Sequence, residues 1–424
     1  MLVPRQALRP SRPYLLPAFW VLVVLIAAGS WRVAQILRQA FGSYPVASTA
    51  AVLLFAAYAV PFLVLLRVID FLAQQPPVLL GVAFAWGGLV ATSAAISGST
   101  AMQDVLAKRR SPQFAADWGP ALVGAGIEEL LKALGVVALA LAARVYVRSL
   151  MDGFVFGAVV GLGFQVVENV IVAVNAVAVQ AGADRVGPVV STFLLRGFLA
   201  GLWSHALFTA LAGAGVAYLL VRTEHGWARR AFGGAALIGA AWGFHLLWNS
   251  PLLADGFGFG VVGALTVLLI KGVPVLLVGL TLFLTAEQRQ ADYYAGLLAR
   301  LGDRQVATAA EIDALVSPRR RLAARRQARL RLGRSGARAM RQLQRAQAQV
   351  AVALARDPGA AVTRGRRRVL ASRHQLMALS LANQVRPVDE HALRGVVAAI
   401  ATVGLIIAML AGAVALGVWA MGGA

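Results

Sequence analysis

A segment of bilayer-spanning length in the first half of the chain carries two adjacent carboxylates and a lysine. Glu128, Glu129 and Lys132 lie among apolar residues in the stretch 120–143. An ionisable side chain near the membrane centre costs at least about 2.5 kcal/mol on insertion scales, so such groups usually face a protein interior and carry function. Lys132 follows the two glutamates by four and three residues, spacings that place it beside both on one helix face. The stretch predicts either an ion pair that fixes helix packing or part of a buried site.

The composition places most of the chain in a lipid bilayer. Of its 424 residues, 59% are hydrophobic and 14% are charged, and the mean hydropathy is +0.73. The chain has no cysteine, which excludes disulfides, thiolate metal sites and a cysteine nucleophile. The sequence therefore predicts an all-α fold, a polytopic bundle of transmembrane helices.

Nine apolar stretches are long enough to cross a bilayer, since a span needs about 20 mostly apolar residues. They run over Tyr14–Trp31, Val46–Asp70, Pro77–Ser99, Pro120–Ala143, Gly153–Gln180, Pro188–Val221, Ala231–Asn249, Phe257–Thr285 and Gly395–Met421. We interpret the first as a retained span rather than a cleaved signal peptide. The sixth has 34 residues, and a helix of that length would exceed the hydrocarbon core of about 30 Å. We expect it to break near Arg196-Gly197.

The apolar stretches and the charge distribution divide the chain into four parts. We predict an N-terminal segment with the first span (1–45), a membrane-embedded core (46–285), an Arg-rich cytosolic helical arm (286–393) and a C-terminal span (394–424). Basic residues in short loops mark the cytosolic side of a membrane protein. The loops with the most arginine predict a cytosolic N-terminus and a C-terminus outside. Lys108, Arg109 and Arg110 argue weakly against this orientation because they would lie outside.

The arm holds 21 arginines and 8 acidic residues, within a chain whose formal net charge is +22. Thr308 and Glu311 predict a capping box that opens a short helix, and Pro318 should end it. Four leucines give the following Arg-rich run only a thin apolar stripe; they are Leu322, Leu330, Leu332 and Leu343. We expect anionic lipid headgroups as the partner, with a solvated helix as the alternative. Nucleic acid is not expected, because no reading motif accompanies the charge.

Polar residues recur in the spans that follow the double glutamate. They are Glu168 and Asn169 in the fifth span, His205 in the sixth, and His245 and Asn249 in the seventh. Singly, each is explained by an interhelical hydrogen bond. Counted from the cytosolic ends of their spans, Glu129, Glu168, His205 and His245 lie 15 to 17 residues in. At about 1.5 Å per residue this is one common depth, which predicts a shared site.

Two chemistries fit this set of residues. Three carboxylates offset by one lysine require either bound protons or a cation. His205, His245 and Glu168 would ligate a divalent metal such as zinc. Glu128 or Glu129 would take a proton from water, with Lys132 as charge partner and Asn249 assisting. A glutamate-activated water without a metal, with histidine and Asn249 as oxyanion partners, would use the same residues. Such a site would activate water for a hydrolysis. A proton- or cation-coupled transporter would use the same kinds of groups and is the alternative.

The order of these motifs resembles the PrsW family of intramembrane proteases over about residues 50–285. The matching motifs are EExxK at Glu128, Glu129 and Lys132, Phe164 before Glu168-Asn169, a single His205, and HxxxN at His245 and Asn249. The chain is more remotely similar to the CAAX prenyl endopeptidase and bacteriocin-immunity group. The resemblance implies a metalloprotease of the bacterial cytoplasmic membrane whose namesake degrades a membrane-anchored anti-sigma factor. It also implies catalytic roles for both adjacent glutamates, with the two histidines as metal ligands or proton-transfer partners.

Overall fold

The computed structural model describes residues 13–72, 75–180, 183–356 and 359–383. Within these ranges all regular structure is helical, as predicted. The α-helices are α1 Pro17–Ser43, α2 Pro45–Ile69, α3 Pro77–Ala85, α4 Thr92–Arg109, α5 Pro112–Gly119, α6 Ala125–Ala142, α7 Leu150–Gln180, α8 Gly187–Thr192, α9 His205–Val221, α10 Trp227–Asn249, α11 Gly260–Leu301, α12 Ala309–Val316, α13 Pro318–Arg356 and α14 Ala360–Asn383. Wider π-helical turns continue three of them, at Trp86–Ala91, Pro120–Gly124 and Phe193–Leu199.

Six helical segments of the described chain are long and apolar enough to cross a membrane. They are Pro17–Ser43, Pro45–Ile69, Pro77–Arg109, Leu150–Gln180, Trp227–Asn249 and Gly260–Leu301. Each coincides with a predicted span, so a multi-pass membrane protein is confirmed. Two other predicted spans correspond to shorter helices, α6 with its three charged residues and the α8–α9 region. The ninth, Gly395–Met421, lies outside the described residues.

The predicted break in the long sixth stretch is present. Helix α8 continues into the π-helical turn Phe193–Leu199, and the backbone leaves helical conformation at Ser204, with φ −111° and ψ −144°. Helix α9 then begins at His205. The break thus follows Arg196-Gly197 by a few residues, and it places His205 at the first position of a helix.

The chain divides into two compact units, of which the first covers the described residues up to Val68 and from Gln75 to Phe283. Its centre is α7, where every residue from 151 to 166 is buried. Gly157 and Gly161 let α7 lie directly against α9. A Cβ added at Gly157 would lie 2.1 Å from the carbonyl oxygen of Thr209, and one at Gly161 would lie 2.2 Å from that of His205. Small residues at every fourth position therefore set the spacing of these two helices.

The second unit contains Ile69–Leu72 and the described residues from Leu284 onward. The predicted capping box is present, because Thr308 accepts from the backbone of Glu311 and the glutamate accepts in return. Helix α12 ends just before Pro318, also as predicted. The unit has its own apolar core, which includes Tyr294, Leu298, Leu315, Leu343, Val350 and Val369.

The Arg-rich run folds back on itself within the second unit. Gly333 has φ 67° and ψ −164°, a conformation that glycine adopts readily, and it reverses the direction of α13. Arg325 therefore reaches Gln344, donating to its Oε1 at 2.6 Å. The predicted leucine stripe is divided: Leu343 is buried, whereas Leu322 and Leu330 are exposed. The segment is thus a helical hairpin with a core, built mainly from alanine and valine.

Candidate active site

Four helices of the first unit bring all seven predicted site residues together. Helix α6 supplies Glu128, Glu129 and Lys132, α7 supplies Glu168, α9 supplies His205, and α10 supplies His245 and Asn249. Their side chains form one continuous network of polar contacts, each link between 2.6 and 3.8 Å. The shared location that the common depth predicts is therefore present in the fold.

Glu129 is held by three donors in the deepest part of this network. Lys132 Nζ lies 2.6 Å from Glu129 Oε1, and His245 Nδ1 lies 2.9 Å from the same oxygen. Thr209 Oγ1 donates to Glu129 Oε2 at 3.3 Å. All four side chains are buried. Because an ionised carboxylate only accepts hydrogen bonds, His245 carries its proton on Nδ1 and keeps a lone pair on Nε2.

A second chain of the same kind holds His205. Arg196 Nη2 donates to Glu168 Oε2 at 2.6 Å, and His205 Nε2 donates to the same oxygen at 3.0 Å. Arg196 Nε also donates to Asn169 Oδ1 at 2.6 Å. The proton of His205 therefore lies on Nε2, which leaves the lone pair on Nδ1, where Lys132 Nζ donates at 3.0 Å. Each histidine thus has a carboxylate behind it, and each carboxylate has a cation.

Glu128 lies between the two histidines. Its Oε2 is buried and has no hydrogen-bond partner. This oxygen lies 3.7 Å from His245 Nε2 and 3.8 Å from His205 Nδ1, the two nitrogens that keep a lone pair. One donor atom from each of the three residues lies within 4.8 Å of the others. Two imidazoles and a carboxylate are a donor set that suits a catalytic divalent metal. The Glu128 oxygen, which within the described residues has only a 3.7 Å ion pair with Lys132 and no hydrogen bond, is one that a closer cation would satisfy.

The donor group differs from the predicted set in its carboxylate. Glu168, predicted as the third ligand, contacts Nε2 of His205. Glu128 is the carboxylate that faces Nδ1 of the same ring. Each of these histidine lone pairs already accepts a hydrogen bond. Lys132 Nζ donates to His205 Nδ1, and the Asn249 amide, 3.1 Å away, donates to His245 Nε2. A cation bound by Glu128 and both histidines would displace these donors, since one lone pair serves one partner.

A cavity of about 250 Å³ adjoins the network. Its lining includes Glu128, Glu168, Arg196, His205 and Asn249. Because one water occupies about 30 Å³ in the liquid, the cavity has room for several waters beside these side chains. Arg196 and Glu168 have side chains 38% and 22% exposed, while that of Glu128 is 13% exposed. The cavity is therefore open beside the arginine and closed around the histidines.

Thr209 and Arg196 belong to the network but were not assigned a role from the sequence. Thr209 lies four residues after His205, a spacing that places both on one face of α9 and could have identified it. Arg196 marked only the expected break, although an arginine in an apolar stretch needs a partner. Its presence adds a second cation to the site, so the three carboxylates face Lys132 and Arg196 rather than the lysine alone.

Comparison with known proteins gave one result. Residues 75–278 match the model of a protein family described as PrsW family intramembrane metalloprotease. None of the curated proteins and none of the solved structures matches the chain. The matched region includes all seven predicted site residues together with Arg196 and Thr209.

Proposed function

Because residues 75–278 belong to the PrsW family of intramembrane metalloproteases, this chain is a membrane-embedded peptidase, and we propose that its catalytic centre is the cavity beside Glu128, His205 and His245. The observation that carries this proposal is the buried oxygen of Glu128, which faces the two histidine lone pairs and has no hydrogen-bond partner among the described residues, its only cation there being Lys132 Nζ at 3.7 Å. The family match favours proteolysis over the transporter, which would use similar groups.

The proposed metal ligands are Glu128 Oε2, His205 Nδ1 and His245 Nε2. Zinc suits this donor set, and a divalent cation there supplies Lewis acidity toward a water and the scissile carbonyl. The second oxygen of the Glu128 carboxylate takes the proton from the attacking water and returns it to the leaving amine. Asn249 lines the same cavity, and its amide donates to the carbonyl oxygen as negative charge develops there.

The remaining predicted residues hold the ligand histidines in place. Glu129, although predicted as a candidate general base, does not line the cavity and already accepts from three donors. We assign it the role of orienting His245, with Lys132 as its charge partner. Glu168 has the same role toward His205. Carboxylates that hold the second nitrogen of a ligand histidine fix its orientation and increase its basicity.

The proposed setting is a bacterial cytoplasmic membrane crossed nine times, with the N-terminus cytosolic and the C-terminus outside. The substrate is a membrane-anchored protein, of the anti-sigma-factor kind by resemblance. The arginines in the turns 144–148 and 222–230 support the orientation. A cysteine introduced into the cysteine-free chain as Glu224→Cys should react with a membrane-impermeant maleimide only from the cytosolic side. Labelling from outside intact cells would reverse the proposed orientation.

We also propose that α13 contacts anionic lipid headgroups. Arg319, Leu322, Arg326 and Leu330 are exposed and lie on one helix face, a combination typical of helices at a membrane surface. Burial, and to a smaller extent the neighbouring arginines, lower the pKa of Arg325 to about 10. A fluorophore attached through Leu322→Cys should shift to shorter wavelength in phosphatidylglycerol vesicles relative to phosphatidylcholine vesicles. Equal emission in both would contradict the contact.

The catalytic proposal is tested with Glu128→Gln, which keeps the side-chain volume and removes the negative charge. The matched control is Asp104→Asn, an exposed acid outside the cavity. Wild type and control, purified in detergent, should hold near one equivalent of zinc by elemental analysis and cleave a membrane-anchored reporter until a chelator is added. The Gln variant should lose both properties. Full cleavage by a folded Glu128→Gln protein would overturn the assignment.

A further inference from the structure

We propose that Arg196 is a positioning residue of the site: acting through Glu168, it holds the imidazole of His205 with Nδ1 toward Glu128. This inference rests on the proposed function, since the nitrogen that Arg196 helps to aim is a proposed metal ligand. Arg196 lies in the π-helical turn Phe193–Leu199, outside the motifs that carry the family resemblance.

The first argument is the correspondence between the two carboxylate–histidine pairs. Lys132 lies 2.6 Å from Glu129, and Arg196 lies 2.6 Å from Glu168. Each carboxylate then contacts the histidine nitrogen that faces away from Glu128. Lys132 and Arg196 therefore each hold the carboxylate that contacts one histidine, although Lys132 also donates to His205 Nδ1 on the side that faces Glu128.

The second argument is that the guanidinium makes two contacts at once. Its Nη2 donates to Glu168 and its Nε donates to Asn169, both at 2.6 Å. These acceptors are consecutive residues of α7, so the planar fork fixes the Glu168 carboxylate relative to the helix that carries it. A lysine at this position would supply the charge but only a point contact.

The third argument concerns how the Glu168 carboxylate would behave without Arg196. The Glu168 side chain is 22% exposed and lines the cavity, so without the arginine it has free space to rotate into. His205 would then lose its hydrogen bond on Nε2, and its ring would be held only by Lys132 on Nδ1. Lys132 is the donor that a bound cation displaces, so the arginine-held contact is the one that persists in the metal-bound site.

The test compares Arg196→Gln and Arg196→Lys with wild type. The matched control is Arg185→Gln, an exposed arginine in the segment just before α8 that does not line the cavity. Loss of a partner behind a ligand histidine typically weakens metal binding or activity about 10- to 100-fold. We expect Arg196→Gln to lower zinc affinity and kcat by about tenfold with KM nearly unchanged, Arg196→Lys to recover much of both, and Arg185→Gln to match wild type.

A spectroscopic measurement on metal-free protein separates this inference from the proposed function. In ¹⁵N-histidine-labelled protein, the His205 Nε2–H proton should resonate at low field because it donates to a carboxylate, and His205→Ala assigns the signal. Arg196→Gln should shift it to higher field or broaden it; if that variant does not fold, Arg196→Lys carries the comparison.

An unchanged signal and unchanged zinc affinity in a folded Arg196 variant would overturn the positioning role. A rise in KM alone would also overturn it, because it would show that Arg196 contacts the substrate instead. Wild-type protein that neither binds zinc nor cleaves would sink the proposed function, and the proton signal would still decide the role of Arg196.

Discussion

The two cation–carboxylate–histidine chains have the same chemistry and very different surroundings. In the first chain, Lys132 and His245 side chains are 0% exposed and Glu129 is 3% exposed. In the second chain, Arg196 is 38% and Glu168 is 22% exposed. The first chain is part of the packed interior between helices, and the second forms one wall of the cavity. One histidine is therefore fixed by the core of the protein, while the other is fixed at a surface that substrate and water can reach.

This difference should determine what each chain contributes. A charge left alone in the interior is strongly destabilising, about 3 to 5 kcal/mol when one partner of a buried pair is removed. An ion pair near solvent is worth about 1 kcal/mol or less. We infer that the buried chain contributes more to stability than the exposed chain does, whereas both chains align the site.

The largest effect is expected for Lys132→Met. This change leaves Glu129 buried without its cation, so the free energy of unfolding should fall by about 3 to 5 kcal/mol. Arg196→Met should change it by about 1 kcal/mol or less. Both values can be measured by reversible unfolding in mixed micelles, with the exposed Lys108→Met as the control. Equal losses for both variants would remove the proposed distinction between the chains.

A smaller effect, on catalysis, is expected from replacing each carboxylate by its amide. Glu129→Gln removes the negative charge that faces the buried Lys132 and orients His245, and it should lower kcat about 100-fold. Glu168→Gln keeps an acceptor oxygen for His205 and should lower kcat about tenfold. Single-turnover cleavage of a membrane-anchored reporter would measure both. The reverse order of effects would show that the exposed chain dominates catalysis.

The smallest effect is expected for Thr209→Val, which removes one hydrogen bond from the buried chain. The bond is long at 3.3 Å, so its loss should cost about 1 kcal/mol of stability and a few-fold in kcat. Thr100→Val, at an exposed position of α4, is the matched control. A loss as large as that of Glu129→Gln would mean that the threonine, rather than the lysine, holds the carboxylate.

Much of the membrane core was predictable because its signals are local. The long apolar runs predict the helices, and the length of the sixth stretch predicts a break near Arg196-Gly197, a few residues before the observed one at Ser204. The depth of each ionisable group also follows from residue counting, because helix rise per residue is constant. The direction in which a side chain points around its helix does not follow, because it depends on how neighbouring helices pack. Glu128 and Glu129 illustrate this, since one faces the cavity and the other does not.

The second unit shows a different limit. Its arginines dominate the sequence pattern and predict a solvated or lipid-bound arm with few apolar contacts. The core in the structure uses small residues such as Ala346, Ala348 and Ala351, whose burial single-residue hydrophobicity does not reveal. The hairpin also depends on Gly333, a single residue whose positive φ reverses the chain. The pattern of arginines predicts an exposed surface, but it does not predict that α13 folds back on itself.

The glycines along α7 should make the geometry of the site independent of the thickness of the bilayer. At Gly157 and Gly161 the distance between α7 and α9 is limited by backbone atoms, with no side chain between them to compress or rotate. Glu168 is on the first of these helices and His205 begins the second. Helices that face lipid tilt when bilayer thickness changes. The distance between Glu168 and His205 should therefore stay constant across membranes of different thickness, even where other helices of the bundle tilt.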